Sequence, residues 1–105
     1  MFLSDVKVDA ALRTGEYLKS GRDYDVVRFE SNGDSFVIKR ARDPGLATGR
    51  LITEFERISL LVSISSAYRN AILSPIGAGF YRQNFYYVLP FLAGTTLSSL
   101  LRSEP

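Results

Sequence analysis

Cysteine and histidine are both missing from this chain of 105 residues. Without cysteine there is no disulfide and no thiolate metal site, and the reducing cytoplasm is the expected compartment. Without histidine the commonest general base and metal ligand is gone. A Ser-His-Asp triad and a His-built zinc centre are therefore excluded within the chain, and no metal-binding residue is assigned. Long apolar runs are missing as well. Nothing approaches the ~20 residues needed to span a bilayer, and Met1 to Asp5 lacks the charged start and apolar stretch of a signal peptide. No membrane partner is expected. An excess of one charge is also missing: 13 lysines and arginines stand against 11 aspartates and glutamates, a net charge of +2. No basic run exceeds a pair such as Lys39-Arg40, so nucleic acid is not an expected partner.

What is present suits one packed domain. The chain is 46% hydrophobic and 23% charged, in the range of a globular fold. No internal repeat or low-complexity stretch occurs. Residues 4–14 read as a short helix capped by Ser4 or Asp5, carrying Val6, Ala10 and Leu12, and ended by Gly15. Residues 16–20 read as a first strand ending at Gly21. The runs Val26 to Glu30 and Phe36 to Lys39 are β-branched and aromatic. Asn32-Gly33 between them tolerates the positive φ of a primed turn, which predicts a β-hairpin. Leu51, Phe55, Ile58 and Val62 recur at helical spacing, with Leu61 and Ile64 widening the stripe, and predict a helix over 50–64. Ile76 to Phe80 and Phe85 to Leu89 read as two further strands with a turn at Arg82-Gln83-Asn84. Pro90 ends the last of them. Thr95 or Thr96 is placed to cap a short helix from Leu97 to Arg102. The expected fold is α+β: a five-stranded antiparallel sheet with one crossing helix, plus a short C-terminal helix. Residues 1–105 form a single domain, with 1–15 as an N-terminal extension, 16–92 as sheet and helix, and 93–105 as the start of the following helix.

Four segments carry the candidate chemistry. Phe36-Val37-Ile38-Lys39 ends a strand on a lysine, and period-two alternation puts Lys39 on the face of Val37, opposite Phe36 and Ile38. Glu54 stands within the apolar stripe of the helix, three residues after Leu51 and four before Ile58. Glu56, one step round, is its competitor. The stretch Lys19-Ser20-Gly21-Arg22-Asp23-Tyr24-Asp25-Val26 turns between two strands. The stretch Tyr86 to Leu97 runs from a strand through Pro90-Phe91-Leu92 towards a capped helix. Structural readings stand beside each: an exposed lysine at a strand end, a surface pairing of Glu54 with Arg50 or Arg57, an ordinary Gly-Arg-Asp turn, and a strand followed by a turn and a capped helix. Phe80, Tyr81, Phe85, Tyr86 and Tyr87 read as core and sheet packing rather than as a base-stacking platform.

In their order and spacing, over about 16 to 105, these segments resemble the N-terminal lobe of the protein kinase-like superfamily, which also includes the aminoglycoside phosphotransferases. The resemblance implies that Lys39 contacts nucleotide phosphates and pairs with Glu54. It sets Gly21 at the second glycine and Val26 at the closing valine of G-x-G-x-x-G-x-V, with Lys19 and Tyr24 at the other two glycine positions. Val37 stands where the family usually has an alanine over adenine. Leu89 takes the gatekeeper place and Pro90 to Leu92 the hinge, whose backbone meets the adenine edge through the groups of Leu92. The implied cofactor is ATP, with Mg supplied through a C-lobe. No H-R-D or D-F-G occurs in the chain, so no catalytic residue is assigned within it. The expected partner is a C-lobe, in the rest of the chain or in a partner protein, or a second copy. An isolated lobe of this kind is expected to expose the cleft lining of Val26, Val37 and Leu89. The implied function is the nucleotide-binding lobe of a kinase-like phosphotransferase, active only when completed. The alternative is a non-catalytic kinase-like module that binds a partner protein.

Overall fold

A computed structural model describes residues 5–64 and 77–91. The elements are α1 (Asp5–Thr14), β1 (Glu16–Ser20), β2 (Tyr24–Ser31), β3 (Asp34–Ala41), α2 (Leu46–Ile64), β4 (Gly77–Tyr81) and β5 (Asn84–Pro90). The strands form one antiparallel sheet in the order β1-β2-β3-β5-β4. The expected helix from Leu97 to Arg102, Ile76 and the hinge residue Leu92 lie outside the described residues. None of the described helices is long and apolar enough to cross a membrane.

The hairpin between β2 and β3 follows from local chemistry. Asn32 and Gly33 adopt φ of 54° and 84°, the left-handed pair that a two-residue primed turn requires. Ser31 therefore faces Asp34, and the register runs without slip to Tyr24 and Ala41. The β4–β5 turn has the same form without a glycine. Arg82 and Gln83 take φ of 52° and 72°, and Asn84, expected in the turn, is the first residue of β5. Here the pairing of Tyr81 with Asn84 imposes a backbone that these residues do not favour.

Alternation along the strands divides the apolar residues between two faces. Val26, Val37, Ala41, Phe85, Tyr87 and Leu89 pack on one face with Ala47 and Leu51 of α2. Val27, Ile38, Tyr86 and Val88 pack on the other with Val8 of α1 and Tyr81. The sheet is thus covered on both sides. The register of α1 differs from the expected one: Val8 and Ala11 are buried, whereas Val6 is 78% exposed. Gly15 ends α1 as expected. A side chain there would meet the Ala11 carbonyl at 2.4 Å and Val27 at 2.5 Å, so the chain turns from helix to strand through a space that admits only glycine.

Helix α2 begins four residues before its expected start. The Asp43 carboxylate accepts the N–H groups of Gly45 at 2.8 Å and Ala47 at 3.3 Å, satisfying donors that a helix start leaves open. The Thr48 hydroxyl donates to the Asp43 carbonyl at 2.6 Å and accepts the Phe85 N–H at 3.1 Å, which fixes the first turn of the helix against β5. Of the aromatic run, Tyr81, Phe85, Tyr86 and Tyr87 are buried, whereas Phe80, on the edge strand β4, is 58% exposed.

A polar latch holds α1 to the sheet. The Tyr81 hydroxyl donates to Asp9, and Arg13 pairs with the same carboxylate at 2.8 Å. The Tyr81 hydrogen bond holds the Asp9 carboxyl below its ordinary value, with help from Arg13 and Arg82 and against partial desolvation. The same bond pushes the Tyr81 hydroxyl above its ordinary value. The depressed carboxyl stabilises the fold above its unfolded pKa of about 4, a contribution lost as pH falls through the lower folded value. The raised phenol stabilises below its unfolded pKa of about 10, a contribution lost as pH rises through the higher folded value. Tyr81→Phe is therefore expected to lower the thermal midpoint across the neutral range. The difference from wild type should shrink as Asp9 protonates in acid and as Tyr81 ionises in alkali, which a set of melting curves across pH measures.

Candidate functional site

Lys39 and Glu54 meet in the interior. Lys39 is the sixth residue of β3 and points to the α2 face, because it alternates with Ile38 and shares the side of Val37. Glu54 lies one turn after Leu51 on the buried stripe of α2. The Lys39 ammonium donates to both carboxylate oxygens of Glu54 at 3.1 Å. The two residues are only 5% and 8% exposed. A carboxylate at this depth needs its charge and lone pairs satisfied, and the Tyr87 hydroxyl supplies a further donor. Tyr87 reaches Glu54 because it lies directly opposite Lys39 in the β3–β5 register. Glu56, the competitor on the same helix, is exposed. Among the described residues neither Arg50 nor Arg57 pairs with Glu54.

The β1–β2 turn approaches this pair from the other side of β3. Tyr24 faces Ala41, two residues along the strand from Lys39, and so projects on the same side of the sheet. Its ring lies over the Lys39 ammonium, 4.8 Å from the centroid, within cation–π range. Lys39 is thus enclosed by the Glu54 carboxylate and an aromatic face.

Gly21 is bound into its own turn. Its N–H donates to the Tyr24 carbonyl at 2.9 Å, and its carbonyl accepts from Arg42 at 2.9 Å. Asp25 points to the opposite face, where it is 2% exposed. There it accepts from Ser20 at 2.9 Å and pairs with Arg40, and Arg42 stands 3.7 Å away. This cluster rivets the β1–β2 turn to the end of β3. Asp25 is therefore directed away from Lys39, a role that strand parity and the Asp25–Arg40 register supply together.

Val26, Val37 and Leu89 are brought together on the α2 face, but not as an open cleft. They are 2%, 1% and 9% exposed, which corrects the expectation that an isolated lobe leaves them bare. They belong to a closed cluster against which Leu18 packs from β1, Tyr24 from the start of β2, Phe91 from just beyond β5, and Ile52, Phe55 and Ile58 from α2. Residues that sequence reasoning did not assign to the site are Tyr24 as the ring over Lys39, Tyr87 as a donor to Glu54, and Thr48 as the tie between α2 and β5. Tyr24 and Tyr87 become legible once β3 is taken as the reference strand, since both follow from its register.

What this arrangement offers chemically is a fixed cation, held by a carboxylate on a helix and covered by one aromatic ring. The ammonium is fixed and paired, while the apolar residues Val26, Val37 and Leu89 are packed on one another. Lys39→Met would leave the Glu54 charge buried opposite an apolar chain. Its expected cost is about 3–5 kcal/mol of unfolding free energy, read from urea denaturation, whereas Glu56→Gln on the exposed face is expected to stay within about 0.5 kcal/mol. The chain matches no family model and no curated protein.

Proposed function

We propose that this domain is the nucleotide-binding lobe of a kinase-like phosphotransferase, which transfers a phosphoryl group from ATP only when a C-lobe completes it. One observation carries the reading: the buried Lys39–Glu54 pair at 3.1 Å, formed between a central strand and the helix that crosses the sheet. A rigid strand holding an ammonium at a fixed point suits the dense charge of phosphate oxygens. A buried ion pair brings little net stability compared with apolar packing of the same volume, so a ligand-directed role accounts for it better than a structural one.

Gly21 supports the same reading. Its backbone takes no left-handed φ, and a side chain there would meet nothing closer than 3.5 Å. The folded chain alone does not demand glycine at this position, whereas a ligand lying on the backbone does. The reading requires Tyr24 to leave its place over Lys39 and the cluster around Val26, Val37 and Leu89 to open. That closed state favours a second reading, a kinase-like module without catalysis that binds a partner protein.

Calorimetric titration with ATP and magnesium separates the two. The first reading expects binding that falls about tenfold or more in Lys39→Met, for the loss of a charge-assisted phosphate contact. It also expects weakening in Gly21→Ala, with its melting temperature unchanged. Absence of binding at millimolar ATP would leave the second reading, in which Lys39→Ala keeps partner binding intact.

A further inference from the structure

A groove lies beside the enclosed lysine, between the β1–β2 turn and the flank of α2 where its buried stripe meets solvent. Tyr24 and Asp23 form one wall, and Arg50, Thr53, Glu54 and Arg57 form the other. Its volume of about 780 Å³ is in the range of small-molecule sites. Two features set it apart from the remaining surface. First, Arg50 and Arg57 are exposed and make no ion pair among the described residues. By contrast, Arg13, Arg28, Arg40, Arg42 and Arg82 each face a carboxylate; Arg22, in the β1–β2 turn beside the groove residue Asp23, shares the unpaired state of Arg50 and Arg57. Second, the groove's inner wall is the Tyr24 ring and the Glu54 carboxylate, the two groups that enclose Lys39. Displacing one aromatic side chain would join the groove to a third cation.

The charges favour an extended anion. Arg50 and Arg57 stand seven residues apart on one side of α2, about 10 Å along the axis. The Glu54 charge is already balanced by Lys39 and by the Tyr87 hydroxyl. Asp23 is the remaining carboxylate in the lining. Guanidinium groups present paired N–H donors that match phosphate oxygens, and a row of them suits several linked phosphates better than one carboxylate. We propose that this groove seats a linear polyphosphate chain, with Arg50 and Arg57 as its exposed anchors and the Tyr24 ring as the gate to the Lys39 ammonium. The proposal rests on the nucleotide reading above and deepens it, naming the groups that receive the phosphates before Lys39 is reached. The gate follows from population arithmetic: a ligand that needs Tyr24 displaced binds more weakly by the fraction of chains in which it is displaced.

The test uses sodium tripolyphosphate and ATP as separate titrants at low ionic strength, with the folded state of each variant checked by circular dichroism. The double variant Arg50→Ala/Arg57→Ala is expected to bind tripolyphosphate about tenfold more weakly or worse. Arg82→Ala, which removes one charge on the opposite face, should stay within about twofold, as expected of a surface residue remote from the ligand. Tyr24→Ala should bind several-fold more tightly, and Asp23→Asn should also gain. An equal loss in the double variant and in Arg82→Ala would overturn the proposal, as would a Tyr24→Ala variant with no gain. Failure of wild type and Tyr24→Ala alike to bind either titrant at millimolar concentration would overturn it too. ATP binding that ignores Arg50 and Arg57 sinks the groove and leaves the nucleotide reading. Tripolyphosphate binding that depends on them, with no further gain for ATP, keeps the groove and removes the base.

Discussion

Two opposite charges taken out of water at the centre of the domain set the terms for everything around them. Desolvating an ammonium and a carboxylate costs several kcal/mol for each ion. Lys39 and Glu54 persist at 5% and 8% exposure only because their partners are delivered to fixed places. Strand β3 must run through the middle of the sheet so that Lys39 faces α2. Helix α2 must cross at the angle and height that bring Glu54 to 3.1 Å from the lysine. Strand β5 must pair with β3 in the register that sets Tyr87 opposite Lys39. The Asp43 cap and the Thr48 tie to β5 fix the start of α2, and through it the depth of Glu54. Small errors at any of these points would leave a buried charge unpaired.

The two faces of the sheet divide the labour. On the α2 face the core is built around the ion pair and closed by Tyr24, Phe55 and Phe91. On the α1 face the core is apolar under Val8, with polar links at its margins: Asp9 to Tyr81, and Asp25 to Arg40. The second of these links anchors the β1–β2 turn from behind. The turn can therefore present Tyr24 over Lys39 while its own backbone is held. The Tyr24 side chain, rather than a whole loop, then stands between the enclosed cation and the groove beside it.

Much of this was legible in the residues because it is local. The Asn32-Gly33 turn specifies the central hairpin by conformational preference, and alternation from Val37 to Lys39 sets the lysine's face before any tertiary contact is known. Glu54 stands out as the carboxylate in an apolar helical stripe, and Gly15 as the end of α1. What was not legible depends on contacts between distant segments. The first turn of α2 is helical because Asp43 caps it and Thr48 holds β5, whereas Pro44 and Gly45 alone read as loop. The packing of α1 on Val8 rather than Val6 is decided by the sheet surface it meets. Asp25 reads as a carboxylate near a phosphate loop until the register with Arg40 turns it to the other face. The closure of Val26, Val37 and Leu89 depends on which side chains of neighbouring strands and of the α2 stripe meet over them, a tertiary contact that periodicity alone does not give.

The double variant Lys39→Met/Glu54→Leu tests most directly whether the central pair is kept for a ligand. It removes both charges and leaves no buried ion alone. If the pair serves a ligand, unfolding by urea should show a stability equal to wild type or higher by about 1–4 kcal/mol, as apolar replacement of buried pairs often gives, with ATP binding lost. A double variant that stays several kcal/mol below wild type would contradict this, and would make the pair a structural element of the fold.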